Sequence, residues 1–183
     1  MNLIFIGYIL IFFHFKINGI DLLPDFVGYL LIASGLGRLE EQSELFVKAR
    51  PWAYVMSVIS IFYGIAGLFG ITYGPAFVVL NLATGAASLY LMYLIGHGIY
   101  DTEQKRQLDL GGAKFLTLWK VQAVLTMLAQ VSAALNIGLV VYIVLLPALI
   151  ANIVFLVYLY RAKKVLEEAG TEGTPEEGGY NEG

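Results

Sequence analysis

The chain has 183 residues, 58% of them hydrophobic and only 14% charged, against about 25% charged in an ordinary soluble domain. That leaves too little polar surface to cover a water-exposed globule, so the bilayer is expected to be its solvent. The absence of cysteine excludes disulfides, thiolate catalysis and cysteine-based metal sites. The net charge of −3 arises from 11 Lys+Arg against 14 Asp+Glu and includes no basic stripe of the kind that grips nucleic acid.

Apolar runs lie near residues 2–17, 20–39, 51–73, 75–97, 115–135 and 138–160. They predict an all-α polytopic bundle of about six transmembrane helices, forming one transmembrane domain over residues 1–165. Residues 166–183, rich in Glu and Gly, form an acidic tail that is expected to be disordered. The first run reads as a retained helix, because Met1-Asn2-Leu3 supplies no positive region and no small-residue cleavage signal follows. The second run opens at Asp21-Leu22-Leu23-Pro24-Asp25, where Pro24 suits a first helical turn and either carboxylate can meet the positive end of the helix. Counted from Ile20 the run is long enough to cross, but counted from Pro24 it falls short. Merging runs one and two into a hairpin that does not cross would leave four crossings and the same alternation of sides.

The third and fourth runs meet around Thr72-Tyr73-Gly74-Pro75, and the fifth and sixth around Asn136-Ile137-Gly138. Such tight connections make both pairs antiparallel hairpins. The segments 40–50 and 98–114 are longer and polar, and 101–109 reads as a solvated loop or short surface helix. Arg38, Lys48, Arg50, Lys105, Arg106, Lys114, Lys120, Arg161, Lys163 and Lys164 then fall on one side and Lys16 alone on the other. Short-loop basic residues favour the cytoplasm, which predicts both termini inside. Trp52, Tyr54, Tyr100, Trp119, Tyr158 and Tyr160 sit near the same helix ends, where amphipathic rings anchor at headgroups.

Helices in lipid associate through small residues that let backbones approach. Ala53, Ser57, Ser60, Gly64 and Gly67 form such a seam on run three, and run two carries Gly28, Ser34, Gly35 and Gly37. Polar side chains at depth are more informative. Asn81 and Gln130 lie at one depth, and Gln122 and Asn152 at another, with Thr126 one turn from Gln122. The two layers are expected either to hydrogen-bond across helices or to line a pathway. Pro147 interrupts the ladder of run six near Ile143. No Asp, Glu or Arg occurs in the middle of runs three to six, which argues against a buried carboxylate proton relay. His14 and His97 are expected at opposite faces, so no metal site is expected from them, and the sequence implies no cofactor.

The densest polar cluster is Lys16 to Asp25. There Asp21 and Asp25, with Asn18 and His14, form a candidate external-face polar site for a cation, a cationic headgroup or a polar solute. The bland alternative is a capped interfacial turn supported by Lys16. The segment Ile20 to Ile32 resembles one found in small, uncharacterised multi-pass membrane proteins of Gram-positive bacteria, which share Asp-x-Leu-Pro-Asp-Phe-x-Gly-Tyr. The matching residues are Asp21, Leu23, Pro24, Asp25, Phe26, Gly28 and Tyr29. The resemblance covers roughly residues 14–40. It implies a bacterial plasma membrane and no particular reaction.

With no nucleophile–base pair legible, a lipid-active enzyme is the weakest expectation. The sequence favours a non-enzymatic scaffold or accessory subunit, with membrane lipids, a second copy or another membrane protein as partners. The alternative is a small transporter or channel-like protein for a polar solute, ion or lipid, which requires a cavity lined by at least two of Asn81, Gln122, Gln130 and Asn152.

Overall fold

The apolar runs fold into helices of two very different lengths. The computed structural model describes residues 1–12, 16–17, 20–21, 25–69, 74–135 and 137–171. Among these residues the elements are α1 (Asn2–Phe12), β1 (Lys16–Ile17), β2 (Ile20–Asp21), α2 (Asp25–Gly37), α3 (Glu44–Leu68), α4 (Pro75–Arg106), α5 (Gly112–Ala134) and α6 (Gly138–Thr171). Four of the helices, α3 to α6, are long and apolar enough to cross a membrane, which makes this a multi-pass helical membrane protein. With 11 and 13 residues, α1 and α2 rise only about 16 and 20 Å, short of a hydrocarbon core of about 30 Å. Among the described residues, four helices and not six therefore have the length of a crossing.

The reason lies at the junction between α1 and α2. Lys16 pairs with Asp21 and Ile17 with Ile20 in an antiparallel ribbon, so the backbone there bonds to itself across strands instead of continuing a helix. Because α2 begins at Asp25, Asp21 lies in the approach to it and does not share a helical face with Asp25.

At the other extreme the long helices overrun their apolar runs. α3 starts at Glu44, where Ser43 caps it by accepting from the Leu45 N–H at 3.3 Å. α4 continues through Asp101–Arg106, so much of the segment read as a solvated loop or short surface helix is a direct continuation of α4, and α6 continues to Thr171. A helix satisfies its own backbone in water as well as in lipid, so it does not stop where the apolar residues stop.

Each helix packs against its neighbour in the chain, and α1 also meets α6, which closes the six helices into a ring. The ring centroids of Phe5 and Tyr160 lie 5.5 Å apart and those of Tyr8 and Phe155 4.9 Å apart, which runs α1 antiparallel to α6. On the other side Ser57 Oγ donates to Phe26 O at 3.1 Å, which holds α2 along the first half of α3. α1 and α2 cross at glycine. A Cβ on Gly7 would stand 2.5 Å from Gly28 O, and one on Gly28 would stand 2.8 Å from Gly7 O.

Because α2 is short, the small-residue seam of α3 is used only in part. Ala53 and Ser57 are buried against α2, whereas a Cβ on Gly64 or Gly67 would meet nothing within 4 Å. The core is concentrated where all six helices run side by side, at the end that carries the basic residues. Ile32, Leu36, Phe46, Ile99, Leu110 and Leu159 are buried there. Salt bridges tie the rim, including Arg161 to Asp109 at 2.6 Å between α6 and the α4–α5 connection. Toward the far end the long helices expose large apolar residues such as Val58, Phe69 and Leu139, as lipid-facing helices do. Trp52, Tyr90, Tyr93 and Trp119 form a run of touching rings across α3, α4 and α5. Trp119 also donates its indole N–H to Leu89 O at 2.8 Å, so this ring ties α5 to α4 as well as lying near a helix end.

Candidate intramembrane cavity

Two half-length helices beside four longer ones in the ring leave space near their tips. A cavity of about 500 Å³ lies there, walled by α1, α2, α4, α5 and α6. Small-molecule sites measure about 300–1,000 Å³ and are mostly apolar with a few placed polar groups. This one fits that description. Its apolar wall includes Ile11, Leu91, Met92, Leu145 and Leu149, and its polar groups are Tyr8, Tyr29, Ser88, Gln122, Thr126 and Asn152.

Each polar group is brought in by its element. Gln122 and Thr126 are four residues apart on α5 and so share a face. The Gln122 Oε1 atom is buried and has no hydrogen-bond partner among the described residues. Leaving such an acceptor unsatisfied costs about 1–3 kcal/mol, and because the atom is buried it is packed within the wall and not open to the cavity space. Asn152 on α6 donates through Nδ2 to Ala148 O at 2.9 Å, one turn back, leaving its carbonyl oxygen as the other functional atom of the amide. Tyr29 is buried on α2 and interacts with the Ser88 hydroxyl of α4. Among the described residues, no Asp, Glu, Lys, Arg or His lines the cavity.

The residues singled out by sequence separate into three groups. Gln122 and Asn152 share this cavity. Asn81 Oδ1 accepts from the Tyr63 hydroxyl at 2.7 Å, and the Gln130 amide packs against Gly85 of α4. Of the acidic cluster, His14 and Asn18 lie outside the described residues, and for Asp21 only the backbone pairing is described. Asp25 is the first residue of α2, at its positive end and one turn from Tyr29 on the same face. Among the described residues, no three His, Asp or Glu side chains are grouped as a metal site would need.

Tyr8, Tyr29 and Ser88 were missed. Tyr29 belongs to the Asp-Phe-x-Gly-Tyr segment, so the motif contributes to the cavity through its tyrosine. Gly28, beside it, lets α1 and α2 touch. No family model, curated protein or solved structure matches the chain.

Proposed function

We propose that the protein is a non-enzymatic membrane protein that holds a small molecule within the bilayer, in the manner of a small transporter or lipid-handling protein. The observation that carries this reading is the mostly apolar cavity of about 500 Å³ with Ser88, Gln122, Thr126 and Asn152 in its wall. Amides, hydroxyls and hydrocarbon recognise a ligand but supply no nucleophile with an adjacent base. An accessory-subunit role is the second reading. It is favoured by the Tyr63–Asn81 pair, in which a polar side chain at depth is satisfied between neighbouring helices.

Purification with native lipids followed by mass spectrometry of the extract tests the first reading. The unmodified protein should retain one molecular class far above its share of the membrane. Ala148→Phe, placed in the cavity wall, should reduce that occupancy about tenfold, while Val124→Phe on an exposed face should not. Identical extracts from all three proteins would eliminate the cavity as a ligand site and leave the accessory role.

The basic residues further support a bacterial plasma-membrane protein with both termini in the cytoplasm, and so does the resemblance of residues 20–32. Topology reporters fused after residues 45, 108 and 165 should report the cytoplasm, and one at 73 the outside. An external signal at 45 or 108 would overturn this orientation.

A further inference from the structure

Polar side chains on membrane-spanning helices find partners within the protein, because lipid offers none. Ser60, Thr84 and Asn152 obey this, each donating to a carbonyl one turn back. Two groups on α5 do not. Among the described residues neither the Thr126 hydroxyl nor the Gln130 amide has a hydrogen-bond partner, and neither is enclosed as the Gln122 oxygen is. They are four residues apart and so share a face. Thr126 lines the cavity, and the Gln130 amide lies on Gly85 of α4, which lines it too. Glycine is what makes room there, since any Cβ at that position would collide with the amide. On α4 Ser88 and Asn81 fall three and four residues to either side of Gly85, so a second polar row runs beside the first.

Resting on the reading of the cavity as a ligand site, we infer that its occupant is a small water-soluble solute bearing hydroxyl or amide groups, which reaches it through a wetted groove between α4 and α5 and meets Gln130 first. Gln130 and Thr126 stand about 6 and 12 Å inside the end of α5, from the helical rise. Amide and hydroxyl groups that are open yet unpartnered at such depth keep their hydrogen bonds only with water, or with a solute that replaces it. The amide donates from one atom and accepts at the other, and the hydroxyl does both, so the solute that suits them carries both kinds of group. A hydrocarbon chain satisfies neither.

The chain has no cysteine, so single cysteines read the groove without background. The test uses the full chain in lipid nanodiscs and a cationic methanethiosulfonate reagent, which travels through water and attacks a thiolate. Thr126→Cys and Gln130→Cys should react at least tenfold faster than Val124→Cys and Val131→Cys, which lie at comparable depth on the exposed face of the same helix. Glycerol, the probe solute, should slow the reaction of Thr126→Cys at least threefold, and adding Ala148→Phe should remove that protection. If one groove variant does not fold, the other still decides against its neighbour. Equal rates on the two faces would overturn the groove and the solute together, while the molecules that co-purify with the protein test the cavity independently. Fast reaction without protection by glycerol would overturn the solute class. Protection that persists in Ala148→Phe would put the solute outside the cavity, which overturns the path into it.

Discussion

Replacing Phe46 by Ala should destabilise the protein by roughly 3–5 kcal/mol, the range for deleting a large buried aromatic side chain. In a chain of this size that lowers Tm by roughly 10 °C or more. Phe46 is 1% exposed, and its ring lies so close on Gly98 of α4 that a Cβ there would stand 2.5 Å from Cε1. Its position on the chain makes the loss large. Phe46 lies in the first turn of α3, between Glu44 and Lys48, at the end where the polar and basic residues gather. There the alternative to burial is water or headgroups, so the hydrophobic transfer term operates as it does not between helices in lipid. Ile99, Leu110 and Phe115 belong to the same core, and none can swing far enough to fill the space of a ring. Thermal unfolding in detergent should show the loss, with Phe46→Leu recovering part of it. A Tm within about 2 °C of the parent for Phe46→Ala would mean that this end of the bundle is not a cooperative core.

Hydropathy read the long helices well but misplaced their ends, and the reason is visible at Asp101–Arg106 and at Glu44–Arg50. Apolar runs mark the depth of lipid, whereas a helix ends where its backbone finds a cap. In α4 that is Gln107, in the left-handed region at φ 54°, whose N–H bonds to Glu103 O. The short helices were harder. Nothing in the composition of residues 2–12 distinguishes half a crossing from a whole one, but Asn18-Gly19, which lies outside the described residues, is the dipeptide that two-residue hairpins favour, and it sits between the paired Ile17 and Ile20. The polar layers were legible by depth alone, which brought Gln122 and Asn152 to one cavity. For Asn81 the structure adds a partner that depth did not name. Asn81 and Tyr63 lie equally far from the tight connection near residue 72, and in an antiparallel hairpin such residues face each other. That count would have found the bond now seen at 2.7 Å. Tyr8 carried no such signal, because α1 is apolar all round and periodicity assigns it no face.

The crossing of α1 and α2 gives the other large effect, because there the obstacle is backbone. Gly28→Leu should destabilise by about 3 kcal/mol, the upper part of the range for overpacking, and Gly28→Ala by less. A Cβ on Gly28 would stand 2.6 Å from Ile11 Cγ1 and 2.8 Å from Gly7 O. The isoleucine can turn, but the carbonyl belongs to a helix turn and cannot, so the two helices must separate. Tyr29 adjoins Gly28 on α2, and Tyr8 adjoins Gly7 on α1, so separation also pulls two polar groups away from the cavity wall. Hydrogen exchange should show this as faster exchange in α1, by about tenfold or more, in parallel with a lowered Tm. Gly64→Leu provides the contrast. It is the same change within an apolar helix, at a position where a Cβ meets nothing within 4 Å, and it should leave Tm and α1 exchange unchanged, or raise Tm slightly through better helix propensity. If Gly28→Leu and Gly64→Leu behaved alike, the half-length helices would not be packed at their glycines, and the cavity they help to enclose would have to be walled in some other way.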